Sequence, residues 1–69
     1  MLLGHNIRLV RQAKNMKQSE LAKRAGISIS YLCEIEKAKT VPSIKTLVKI
    51  AKALRVECSV LINYSDDAG

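Results

Sequence analysis

The residue pattern predicts an all-α domain of five short helices, and three observations carry that prediction. Apolar residues recur at helical spacing in five successive segments. The joints between segments hold residues that end or start helices: Asn15, Gly26, Ser28, Pro42 and Ser43. The chain has no Phe or Trp, so its core must come from Leu, Ile, Val and Ala, a set that suits closely packed small helices.

The first helix is expected over residues 3–14. Leu3, Ile7, Val10 and Lys14 share one face, with Lys14 burying its stem and keeping its charge in water. Asn15 can adopt the left-handed conformation that ends a helix, and Met16 then packs inward. The second helix, 18–25, places Leu21, Ala22 and Ala25 on its inner face. Lys17 is a poor N-cap and forfeits about 1 kcal/mol of capping energy, which Glu20 offsets in part through the helix dipole.

Gly26 stands where that helix must stop, and Ser28 is a good cap for the third helix, 28–37. Leu32 and Ile35 face inward there, which turns Ile29, Ser30, Cys33, Glu34 and Lys37 outward. Two helices joined by so short a turn, with only their shared inner face apolar, form a helix-turn-helix. The outer face of its second helix is free to enter a DNA major groove.

Residues 40–43 form a turn, since Pro42 forbids helix before it and Ser43 caps the next helix. That fourth helix, 44–54, is expected to bury Ile44, Leu47, Val48, Ala51 and Leu54. Lys45, Lys49 and Lys52 line its other side, either as a solvated face or as an auxiliary phosphate-facing surface. Val56 closes the core, and a fifth helix, 58–64, is denser in apolar residues than an isolated surface turn needs. The expected organisation is one domain, 1–64, with a short tail at 65–69; so short a chain leaves no room for a second core.

Charge is distributed unevenly. Twelve Lys and Arg oppose six Asp and Glu, a net charge of +6. All the cations lie between Arg8 and Arg55, whereas Glu57, Asp66 and Asp67 close the chain. A basic body is consistent with a polyanionic partner, or with a merely soluble charged surface. No apolar run approaches the roughly 20 residues of a membrane span, and no signal-peptide pattern opens the chain. Both points favour the cytoplasm. Cys33 and Cys58 are not expected to pair, and no Cys/His cluster suggests a metal. His5 is the single histidine. With no phosphate-cradling glycine loop either, no catalytic residue, metal or cofactor is assigned, and an enzyme is not expected.

Laid out in this way, the chain resembles the lambda-repressor-like helix-turn-helix family, the Cro/CI type of phage repressors and small bacterial regulators. The matching residues include Gly4, Ile7-Arg8, Val10-Arg11, Met16, Gln18, Glu20-Leu21-Ala22, Ala25-Gly26-Ile27-Ser28, Ser30-Tyr31-Leu32, Ile35-Glu36, Lys39, Pro42-Ser43, Thr46-Leu47, Lys49-Ile50-Ala51 and Ala53-Leu54. Together they cover about residues 4–62. The chain departs from the pattern at helix ends. Ala38 and Arg55 stand at two common glycine positions, where a left-handed backbone costs a Cβ about 1 kcal/mol. Lys17 replaces a Ser or Thr cap.

The resemblance implies double-stranded DNA as partner and assigns positions. Ser28, Ile29, Ser30 and Glu34 match residues that approach base edges. Ile29 suits a thymine methyl, Ser30 can donate or accept, and Glu34 can accept from a cytosine amino group. The plainer alternatives are an apolar contact of Ile29 with the second helix and a surface pairing of Glu34 with Lys37 or Lys23. Gln18, Tyr31, Lys39 and Thr40 match phosphate-facing positions. Arg11 and Glu36 are implied to form a partly buried ion pair.

One recognition helix reads few base pairs, so a homodimer on a two-fold-related operator is expected. Val60, Leu61, Ile62 and Tyr64 are the interface candidates, unless Leu61 and a neighbour simply cap the core. The implied function is a sequence-specific transcriptional regulator, in the first instance a repressor. The alternatives are an antitoxin-like protein-interaction module and a restriction-modification controller on the same fold.

Overall fold

In the computed structural model five helices follow one another: α1 (Leu3–Ala13), α2 (Gln18–Ala25), α3 (Ile29–Glu36), α4 (Ile44–Leu54) and α5 (Cys58–Asn63). The structure describes residues 3–64, so the expected tail at 65–69 lies outside the described residues. Helix α2 is central: it packs on α3 and α4, while α1 bridges α3 and α5. The fully buried side chains Ile7, Leu21, Leu32, Ile35, Ile50, Leu54 and Leu61 come from all five helices and form one core. Among the described residues no helix is long and apolar enough to cross a membrane.

The first four helices end alike. Asn15, Gly26, Ala38 and Arg55 all have positive φ, between 55° and 71°. After each, the next residue's N–H donates back to a helix carbonyl five residues earlier: Met16 to Arg11, Ile27 to Ala22, Lys39 to Glu34 and Val56 to Ala51, at 2.9–3.1 Å. This is the Schellman arrangement, which satisfies carbonyls the helix leaves without partners. It commonly seats an apolar residue after the left-handed one. Met16, Ile27 and Val56 fill that role and pack on the core. Lys39 does not, and stays exposed.

Helix starts differ more. Ser28 Oγ accepts from Tyr31 N–H at 3.0 Å and Ser43 Oγ from Thr46 N–H at 3.1 Å. No side chain caps α2 or α5, where Lys17 and Glu57 precede the first turn.

Several expectations need correction. Helix α1 stops at Ala13, and Lys14 lies exposed in the turn after it, leaving the buried face to Gly4, Asn6, Ile7 and Val10. Ile44 is 82% exposed. Its position continues the α4 stripe in phase, but Leu47, at 8% exposure, is already at the rim of the core, and the cover does not extend one turn further. Ile50, absent from the expected set, is fully buried, with Leu47, Ala51 and Leu54 buried beside it, whereas Val48, expected in the core, is only half-buried because it lies off the Leu47–Ile50–Leu54 face. Leu61 is also fully buried, so it belongs to the monomer's own core and offers no surface for an interface. Helix α5 ends at Asn63, with Tyr64 extended after it.

Candidate nucleic-acid interface

Gly26 lets α2 turn into α3 within three residues, and capping by Ser28 starts α3 with Ile29 and Ser30 facing out. The result is an open concavity of about 420 Å³ between the start of α2 and the outer face of α3. Gln18, Ile29, Ser30, Cys33, Glu34, Lys37 and Lys39 line it. Five residues assigned from the sequence therefore meet on one wall: Ile29, Ser30 and Glu34 from the base-facing set, Gln18 and Lys39 from the phosphate-facing set. Ser28, Tyr31 and Thr40 are not part of that lining. The Ser28 hydroxyl is engaged in its capping bond, and Tyr31 leans on the core.

The two plainer alternatives can be judged from the geometry. Ile29 is 48% exposed, so about half of it is open on the wall. Among the described residues the ion pairs are Arg11–Glu36 and Arg24–Glu20, so Glu34 is paired with neither Lys37 nor Lys23. Cys33 and Lys37 also line the wall. The sequence reading turned both outward without giving them a role; the signal was there in their helical phase with Ile29, Ser30 and Glu34. Cys33 and Cys58 are both free thiols.

Lys37 and Lys39 lend positive charge to the wall. Lys39 reaches it because the left-handed Ala38 turns the chain back at the end of α3. Lys17, immediately before Gln18, adds a third cation at the uncapped start of α2, where unsatisfied N–H groups carry partial positive charge.

Behind the wall lies a polar joint. Arg11 donates from Nε to Glu36 Oε2 at 2.8 Å and from Nη2 to Oε1 at 3.0 Å, a two-point fork. Its Nη1 also donates to the Met16 carbonyl at 2.9 Å. Gln18 Nε2 donates to Glu36 Oε1 at 3.1 Å. The Arg11 and Glu36 side chains are only 11% and 3% exposed. This joint ties α1, the α1–α2 turn, α2 and α3 together. A second buried polar bond, from Asn6 Nδ2 to the Leu61 carbonyl at 2.8 Å, pins α1 to α5.

Five helices, the second and third forming a helix-turn-helix with an exposed polar and apolar wall, are the architecture of a repressor-like helix-turn-helix domain. The helix-turn-helix family model matches residues 7–61, and the chain belongs to that family. The ImmF control region 10 kDa protein of Bacillus phage phi105 is 42% identical over 86% of this chain and 66% of its own length. The immunity repressor protein of the same phage is 36% identical over 90% of this chain and 43% of its own. This chain thus spans less than two thirds of either relative. The crystal structure of SinR, the master regulator for biofilm formation, in complex with DNA superposes with a TM-score of 0.83 at 37% identity, over 88% of this chain and 98% of that one. What the chain shares with these proteins is the helix-turn-helix domain.

Proposed function

We infer that this chain is a sequence-specific regulator of transcription that acts as a repressor in the cytoplasm, binding a two-fold-related operator as a homodimer. Residues 1–64 serve as its single domain. The observation that carries this reading is the shared wall, where Ile29, Ser30 and Glu34 on α3 stand beside Gln18 and Lys39. Apolar, hydroxyl and carboxylate groups on one exposed helix face suit base edges, and the flanking cations suit phosphates. Ser28, Tyr31 and Thr40 complete the proposed contacts from the rim. The likeness to a DNA-bound regulator supports the reading. Dimerisation draws support from Val60 and Ile62, both 38% exposed on α5, with Tyr64 beside them.

Selection of bound fragments from random DNA identifies the operator, after which two variants separate reading from holding. Lys39→Ala should weaken operator and random duplexes alike and flatten the salt dependence by about one counterion. Glu34→Ala should relax preference at one base pair by about 1–3 kcal/mol, with the salt slope lowered little. If substitutions of Ile29 and Glu34 leave sequence preference untouched, α3 is not the reader.

A further inference from the structure

A buried ion pair contributes little net stability, because apolar residues of similar volume serve as well or better. Yet Glu36 is buried, Arg11 is largely covered beside it, and their joint reaches one residue of the exposed wall. Glu36 Oε1 holds Gln18 Nε2 at 3.1 Å while also accepting from Arg11 Nη2 at 3.0 Å. An ionised carboxylate only accepts, so the Gln18 amide must turn its nitrogen, not its oxygen, toward Glu36.

We propose that Glu36 is a positioning residue for DNA binding, and that Arg11 fixes Glu36 so that Glu36 can fix Gln18. Held in this way, the Gln18 amide has one N–H committed to Glu36 and the other left for a phosphate oxygen. A surface glutamine loses several rotamers when it meets a ligand; one already held loses few. The Arg11 fork supplies the rigidity, since its third donor is anchored on the Met16 carbonyl in the turn leading into α2. Glu36 never touches DNA and acts through Gln18. This inference rests on the reading of Gln18 as a phosphate-facing residue.

A double-mutant comparison on the operator duplex tests it. Arg11→Met with Glu36→Leu removes one charge of each sign, so net charge and salt slope stay as they are. Gln18→Ala should weaken binding about tenfold in the native chain, the scale of one hydrogen bond to a charged group. In the Arg11→Met/Glu36→Leu background the same Gln18→Ala change should cost less than about twofold, because the contact is already lost with its support. An equal loss in both backgrounds overturns the proposal and leaves Glu36 a purely structural residue. Should the double variant fail to fold, side-chain amide relaxation in the native chain decides. Gln18 should be as rigid as the backbone, and exposed Gln12, the other glutamine, should be mobile. Equal mobility of the two overturns the proposal. If Gln18→Ala is silent while Lys39→Ala still weakens binding, the proposal falls and the DNA-binding reading stands. If substitutions at Gln18, Glu34 and Lys39 are all silent, both fall.

Discussion

At Gly4 the first helix approaches α3 so closely that a Cβ would run into the Ile35 carbonyl, a backbone atom that cannot swing aside. Two effects oppose each other in Gly4→Ala. Helix propensity favours Ala by about 1 kcal/mol, whereas forcing α1 off α3 costs about 1–3 kcal/mol and disturbs the fully buried Ile7 and Ile35. The overlap is with backbone, so the clash should win, and thermal unfolding should show a net loss of up to about 2 kcal/mol, with larger residues worse. A rise in melting temperature would mean that α1 can tilt freely. Glu36 is the other sensitive residue. Glu36→Ala strands the Arg11 guanidinium and should cost about 3 kcal/mol, while Arg11→Met/Glu36→Leu should be near neutral. Denaturant titration of the three chains measures both. The roles of Gly4 and Glu36 were legible in the sequence only through the family resemblance. Nothing in the local pattern at Gly4 announces a helix crossing; at Glu36 helical phase with Leu32 marks the inner face, but only the resemblance supplied its partner Arg11.

On the scale of elements, punctuation was the legible part. Asn15, Gly26, Ser28 and Ser43 each act as their residue types dictate, and α2 and α4 span the expected residues. Burial along α4 was less legible. Helical phase marks a stripe but not how far its cover extends, which is why Ile44 is exposed; Ile50, in phase with Leu47 and Leu54, is buried in place of Val48. Ala38 and Arg55 carry a Cβ in the left-handed region, at φ 61° in both cases. That conformation costs an L-residue about 1–2 kcal/mol, of which glycine's greater freedom in the unfolded chain takes back about 0.5–1. Ala38→Gly and Arg55→Gly should therefore each stabilise the fold by about 0.5–1 kcal/mol, or about 2–8 °C in melting temperature. The two sites lie at the ends of different helices, so their effects should add. The Ala38 change carries a second readout: loosening the turn that aims Lys39 should weaken DNA binding slightly even as the fold gains stability.

On the scale of the whole molecule, the α2–α3 wall and the proposed dimer surface lie on different helices, and the core that α5 helps to build sets what a dimer can use. Helix α5 has six residues, too few to be stable alone. It is held by Leu61 in the core and by Asn6 on the Leu61 carbonyl. The sequence drew Leu61 into the interface because apolar density at the end of a chain does not say which residues turn inward. With Leu61 in the core, Val60 and Ile62 are the exposed apolar surface left for an isologous contact, and Tyr64, partly packed on the core, can add only its open edge. Val60→Lys should consequently leave the stability of the monomer within about 0.5 kcal/mol of native, because that side chain is outside the core. Sedimentation equilibrium should find the native chain near twice its 7.6 kDa mass at micromolar concentration and the variant near one. Operator affinity should fall far more than the affinity for a single half-site, since the dimer makes the second recognition event intramolecular. A native chain that stays monomeric at high concentration, both free and on the operator, would remove α5 as the interface. Loss of the fold with Val60→Lys would instead show that Val60 supports the core and that its exposed edge is incidental.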